Sequence, residues 1–317
     1  MQLNKQLDIV AFGEAMVEFN QTGENNGLNY LQGFGGDTSN FAIASARSGA
    51  KVAVIGALGE DPYSVMIRSL WDKEGINHDE VLTDKNSYTA IYFVTHGPSG
   101  HEFSFFRKGS AASRITPSAL PTRSITTTRV LHLSGISVAI SPSACDSANS
   151  ALELAKSNGA LISFDTNLRL KLWSLSRART IILDFVSRSD ICLPSFDDIS
   201  VLTGLTDPNQ LVDCCLKLGA KIVALKLGDK GALVADSNQR HRIEAFPCHS
   251  RDATGAGDTF GGAFVTRLLA GDDLQSAGLY ACAAAALSTQ GFGAVNPIPY
   301  AQEINKALSK RVRAFSA

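Results

Sequence analysis

Apolar positions along the chain fall into two rhythms. Short unbroken runs at residues 8–12, 51–58, 130–133, 161–164, 191–193 and 222–227 read as strands buried on both faces. Between them lie segments of helical period. In 62–75 the residues Met66, Ile67, Leu70 and Trp71 share one face, and Gly75 ends the run. Ser141-Pro142 and Asp207-Pro208 each pair a capping side chain with a proline at the first helical position. The first of these helices runs to Asn158-Gly159, and residues 181–187 lie in the next. Three more are predicted near 255–270, 273–290 and 300–313. Strands alternating with helices predict a mainly parallel sheet with right-handed crossovers and helices on both sides, a three-layer α/β sandwich.

One stretch breaks the rhythm. Residues 88–95 and 101–107 are aromatic and β-branched, and Gly97-Pro98-Ser99-Gly100 joins them with turn chemistry. A similar signal at 16–20 follows the first strand. Together they predict a small β sheet projecting from the α/β body as a lid, or an ordinary edge hairpin.

Composition narrows the function classes. The chain has 317 residues and a net charge of −1, so no global field recruits nucleic acid or an anionic membrane. The six cysteines include no C-x-x-C pair, which leaves zinc spacing absent and fits free thiols in a reducing, cytoplasmic compartment. No apolar run is long enough for a membrane span or a secretory signal core. His96, His101 and His132 fit no ligand spacing, and Trp173 reads as core or rim.

The chemistry concentrates at 252–262, Asp-Ala-Thr-Gly-Ala-Gly-Asp-Thr-Phe-Gly-Gly, where a loop becomes a helix. Unpaired backbone N–H groups at such a terminus, unobstructed by side chains at Gly255 and Gly257, form an anion hole with Ala256. Asp258 reads either as a simple helix cap or as the base that accepts the proton of an attacking hydroxyl. A Walker A loop is excluded because Asp258, not Lys, follows Gly257. A dinucleotide fingerprint is disfavoured because Phe260 stands where its third glycine belongs and the first strand runs into Gly13-Glu14-Ala15.

This stretch resembles the C-terminal signature of ribokinase-like (PfkB-type) carbohydrate kinases. Gly35-Gly36-Asp37-Thr38-Ser39-Asn40-Phe41-Ala42 resembles their N-terminal pattern, and the likeness covers essentially residues 1–317 as one domain, with a lid at about 13–34 and 88–108. Phe106 through Ala111, Leu133 through Ser137, and Phe164 through Arg169 to Trp173 are similar to 2-keto-3-deoxygluconate kinases in particular. The resemblance implies ATP and Mg²⁺ as cofactors, with room for K⁺ near Asp252. It implies an acceptor side of Gly35, Gly36, Asp37, Asn40, Tyr92, Phe105, Arg107 and Arg169, the two arginines approaching a substrate carboxylate. It implies a nucleotide side of Lys226, Gly228, Gly231, Gly255, Gly257, Gly293 and Asn296. Phe105 replaces a frequent tyrosine, and Ser195-Phe196-Asp197-Asp198 replaces the family's Asn-x-x-Glu, leaving Asp198 as the magnesium candidate. As alternatives, Gly35-Gly36 is only a turn, Arg107 a solvated lid residue, and Arg169 a structural partner of Asp165. The expected partners are a sugar acid and ATP, with a second copy of the chain pairing through an aromatic lid face of Tyr92, Phe93, Phe103 and Phe105. A neutral-sugar kinase such as a fructokinase, and a non-catalytic binding protein on the same fold, remain the rivals.

Overall fold

The computed structural model describes residues 5–23, 27–97 and 100–315. The strands, in chain order, are β1 (Leu7–Phe12), β2 (Met16–Gln21), β3 (Tyr30–Gly35), β4 (Val52–Ile55), β5 (Ala57–Gly59), β6 (Leu82–Asp84), β7 (Ile91–Gly97), β8 (Gly100–Phe106), β9 (Thr128–Ser134), β10 (Leu161–Asp165), β11 (Ile191–Cys192), β12 (Ile222–Lys226), β13 (Ala232–Ala235) and β14 (Arg240–Ile243). Among the described residues the larger sheet has eight strands, ordered β14-β13-β12-β11-β10-β9-β1-β4. All its pairs are parallel except β12–β13 and β13–β14.

Alternate residues of β1 show why there are three layers. Ile9 and Ala11 join one core with Phe41, Trp71, Phe264 and Tyr280, from the helices Asp37–Arg47, Pro62–Lys73, Ala256–Ala270 and Leu274–Ser288. Val10 and Phe12 join another with Leu152, Phe185, Leu202 and Val212, from Pro142–Ser157, Leu175–Arg188, Phe196–Thr203 and Pro208–Leu218. A strand buried on both faces must be apolar throughout, which is the pattern the sequence carries.

The predicted caps are present. Ser141 accepts from the Ala144 amide, and Asp207 from the Gln210 amide. One expected strand divides in two. Residues 51–58 bend at Gly56, where a Cβ would lie 2.4 Å from the Gly13 carbonyl oxygen. Only β4 stays in the large sheet, and β5 leaves to pair with β6.

The small sheet has the order β3-β2-β7-β8. Its hairpin tip residues Pro98 and Ser99, like 24–26 of the expected lid range, lie outside the described residues. The register corrects the expected aromatic face. Tyr92 lies opposite Phe105 and Val94 opposite Phe103, whereas Phe93 lies opposite Ser104 and points the other way. Phe93 stacks on Phe19 at 5.1 Å between centroids instead. Among the described residues no helix is long and apolar enough to cross a membrane.

Candidate active site

Parallel strands deliver their carboxyl ends to one edge of the large sheet, and the candidate residues gather there. Gly13 and Glu14 follow β1, Asp165 ends β10 and Lys226 ends β12. The helix Ala256–Ala270 begins at this edge, with Gly255 as its N-cap at φ 75°. A Cβ there would stand 2.9 Å from the Ala294 carbonyl oxygen. Glycine thus supplies both the left-handed turn and the close approach of the 291–296 loop.

Asp252 ties that loop down. Its carboxylate accepts from the Thr254 amide at 2.9 Å, the Thr254 hydroxyl at 2.6 Å and the Gly293 amide at 2.9 Å. Three donors already surround it, so the structure gives Asp252 a scaffolding task whatever else it does.

Asp258 sits in the first helical turn and accepts from the Asn40 side-chain amide at 2.9 Å. The other end of that amide, Asn40 Oδ1, is buried and has no hydrogen-bond partner among the described residues. Burial raises the Asp258 pKa to about 8, helped by the nearby charges of Asp37 and Asp165 and opposed by the Asn40 bond and Lys226. The Lys226 ammonium pairs with Asp165 and lies 3.5 Å from the position a Cβ on Gly257 would take. A fixed cation therefore flanks the partly buried helix terminus. Asp165 is itself held above the usual carboxylate range by burial, despite that lysine. The alternative pairing of Arg169 with Asp165 is not formed, because Lys226 occupies Asp165.

The paired glycines are more than a turn. A Cβ on Gly36 (φ 95°) would lie 2.3 Å from the Glu14 carbonyl oxygen, and one on Gly35 would lie 2.2 Å from the Tyr92 hydroxyl. They let the lid and the start of the helix Asp37–Arg47 meet over the β1 end. Asp37 accepts from Asn167 at 3.1 Å, and Asn167 holds a φ of 27°, rare for a residue with a side chain.

The two arginines expected to act together are held differently, one by an acid and one by a backbone carbonyl. Arg107 Nη2 lies 2.5 Å from Glu14 and its guanidinium stands over the Phe105 ring at 5.7 Å, so it is not a solvated lid residue. Arg169 is exposed and bonds the Leu168 carbonyl at 2.8 Å. Its charge acts on Asp198, whose carboxyl burial pushes up and whose neighbours include Ser195, Asp165 and Lys226. The Tyr92 hydroxyl is also taken, by Glu18 at 2.5 Å. Phe105 is 44% exposed on the lid. Gly228 (φ 61°) and Gly231 (φ 83°) shape the turn after β12, and Asn296 lies exposed in the loop beside Gly255.

Sequence reasoning missed Glu14, Glu18 and Asn167. Each carried a signal: an acid at the carboxyl end of the first strand, an acid inside an apolar β run, and an asparagine just beyond Asp165. For metal binding, no group of three or more His, Cys, Asp or Glu side chains converges among the described residues. A magnesium ion here would take most of its oxygen ligands from phosphate and water, as that ion commonly does, with Asp198 as the adjacent carboxylate.

The chain is similar in sequence and fold to known proteins. The pfkB family carbohydrate kinase profile matches residues 6–301. A fructokinase of Solanum tuberosum is 34% identical, over 93% of this chain and 93% of its own length. A 2-dehydro-3-deoxygluconokinase of Thermoproteus tenax is 33% identical, over 95% of each. The crystal structure of a Vibrio cholerae fructokinase, in its fructose-, ADP- and calcium-bound form, superposes with a TM-score of 0.86 at 27% identity, covering 96% of this chain and 100% of that one. The chain belongs to the pfkB family of carbohydrate kinases.

Proposed function

We propose that residues 1–317 act as one kinase domain that transfers the γ-phosphoryl group of magnesium-bound ATP to the primary hydroxyl of 2-keto-3-deoxygluconate. The observation that carries the reaction is the pair Asn40–Asp258. The carboxylate is anchored by the Asn40 amide, while Asn40 Oδ1 stays unpartnered beside it. A sugar entering there can donate one hydroxyl to the buried Asn40 Oδ1 and present a second, reacting hydroxyl to the base Asp258. The amides at Gly255 and Gly257 receive the transferred phosphoryl group, the Ala256 amide being turned to the Ala253 carbonyl at 3.2 Å, and Lys226 neutralises its charge. Gly228, Gly231, Gly293 and Asn296 line the nucleotide side. Gly35, Gly36, Asp37, Phe105, Arg107 and Arg169 form the acceptor side, and the Tyr92 ring, its hydroxyl bound to Glu18, packs behind Phe105. Asp198 would be the carboxylate that holds magnesium, and Asp252 would lie in the loop that takes a monovalent cation. Magnesium supplies charge neutralisation on the phosphates.

The sugar-acid substrate is supported by the runs around Arg107, Ser134 and Arg169, and by the Thermoproteus tenax relative. The second reading, fructose, is favoured by the Glu14–Arg107 pair, which neutralises one of the two arginines, and by the potato relative. A coupled ADP-release assay over 2-keto-3-deoxygluconate, its galactonate epimer, fructose, ribose and adenosine separates them. Sugar-acid turnover should dominate. Arg169→Ala should lower kcat/KM for the acid about ten- to a hundredfold while leaving KM for ATP unchanged. Preference for fructose in the wild type replaces the sugar-acid reading. Absence of ADP release with every acceptor on the panel favours the non-catalytic binding protein instead.

A further inference from the structure

Glu14 stands outside every motif in the chain, yet its surroundings are among the most constrained in the site. It is 2% exposed. It lies in the three-residue segment Gly13-Glu14-Ala15 that carries the chain from core strand β1 into lid strand β2. Its Oε1 accepts from the Ser110 hydroxyl at 2.6 Å, and its Oε2 lies 2.5 Å from Arg107 Nη2. Both partners lie just past β8, in the segment by which the chain leaves the lid. One buried carboxylate thus fastens two of the lid's attachments to each other. Arg107 meanwhile keeps a buried Nε–H that finds no acceptor among the described residues. A buried N–H without a partner rewards any acceptor oxygen brought to it.

We infer that Glu14 is a positioning residue: it clamps Arg107 and Ser110 to the β1 end, so that the lid is registered over Asp258 and the free edge of Arg107 is presented to the acceptor. The inference deepens the kinase reading and names the residue through which the lid arginine acts. Glu14 touches no reacting atom in it. Its effect on the acceptor passes through Arg107, and that distinguishes it from a residue that merely supports the fold.

The test is a double-mutant cycle with an independent structural readout. Glu14→Gln keeps the shape and the Ser110 bond but loses the charge. It should raise acceptor KM about tenfold or more and leave ATP KM within about twofold, the size expected for a lost charged contact. Glu14→Asp should recover part of the loss by restoring the charge. In an Arg107→Ala background Glu14→Gln should have little further effect, because the two act as one unit. A Glu14→Gln effect as large in Arg107→Ala as in the wild type overturns the inference. Hydrogen–deuterium exchange is read on the same proteins without any acceptor. Glu14→Gln should speed exchange at 13–16 and 107–111 and leave the helix Ala256–Ala270 unchanged. Unaltered protection at both attachments overturns the clamp even if no sugar is phosphorylated, so its failure is separable from failure of the kinase reading.

Discussion

At the start of the helix Ala256–Ala270 one carboxyl, Asp258, holds a single donor among other acids, whereas beneath the lid Glu14 and Glu18 are paired with lid residues. Asp258 has one amide donor and keeps close company with Asp37 and Asp165, so its carboxyl is pushed up to about 8. Glu14 and Glu18, both 2% exposed, hold an arginine and a serine in one case and a tyrosine in the other. The first region keeps a costly arrangement, crowded carboxylates with little compensation, where proton transfer has use for it. The second ties its carboxylates to lid side chains, which fixes geometry even though burial raises both carboxyls. A kinase of this kind asks one half of its cleft to react and the other to register a small sheet, and the hydrogen bonding divides accordingly.

The strongest test of that contrast is Asp258→Asn. Asparagine keeps the size of the side chain and leaves the amides of the anion hole in place, but it cannot take up the hydroxyl proton. Turnover should fall on the order of 10²- to 10⁴-fold with nucleotide affinity retained. Isothermal titration with an ATP analogue and single-turnover kinetics separate the two. Near wild-type kcat would reduce Asp258 to a helix cap.

What was legible in the sequence follows the same division. The anion hole is local: Gly255, Ala256, Gly257 and Asp258 are consecutive, and their chemistry is readable from spacing because one turn of backbone holds them all. Most long helices were legible for a similar reason, since caps such as Ser141 and Asp207 act over three residues, but Asp37–Arg47 and Phe196–Thr203 were not predicted. The lid side is assembled from single residues of distant segments. Nothing near Glu14 in the chain announces Arg107 and Ser110, and Tyr92 looks like a ligand contact until Glu18 is seen across β2 and β7. The division of 51–58 was hidden likewise, because the reason for it is the backbone of Gly13, far back in the chain. The antiparallel pair β13 and β14 was also missed; it lies at the sheet edge, where β14 is short and largely polar.

The raised pKa of Asp258 makes a second prediction, of intermediate size. The folded protein holds this proton up to about pH 8, while the unfolded chain releases it near the ordinary value of 3.8. Between those values the folded state binds more protons than the unfolded state, so the contribution of Asp258 to stability falls as pH rises and is least favourable above pH 8. Asn carries no such burden. Asp258→Asn should therefore match the wild type near pH 4 and exceed it above pH 8 by on the order of 2 kcal/mol, the half-buried position reducing the full linkage value. Denaturant midpoints across pH measure this. A difference that does not depend on pH would mean the carboxylate is not crowded as the geometry requires.

The smallest effect expected is at Tyr92, and it bears directly on the lid half of the contrast. By resemblance Tyr92 is an acceptor contact, and removal of its hydroxyl would then raise acceptor KM and leave stability alone. The structure spends that hydroxyl on Glu18, and the ring is buried against Phe105 at 5.5 Å between centroids. The bond is one of two that lower the Glu18 pKa against burial, the other coming from Asn20. Tyr92→Phe should leave the ring packing intact and the Glu18 carboxylate short of a donor. It should destabilise the fold by about 1 kcal/mol at neutral pH, with acceptor KM changing less than about threefold. The sign with pH follows from Glu18. Its pKa should rise further in the mutant, so the deficit is greatest where the carboxylate is ionised and shrinks as acidification protonates it. Glu18→Gln carries no charge to stabilise. In that background the effect of Tyr92→Phe should lose most of its dependence on pH. Thermal melts of the wild type, the two single variants and the double variant at two pH values decide it. A rise in acceptor KM with no loss of stability would return Tyr92 to the substrate, and the lid would then contribute chemistry as well as registration.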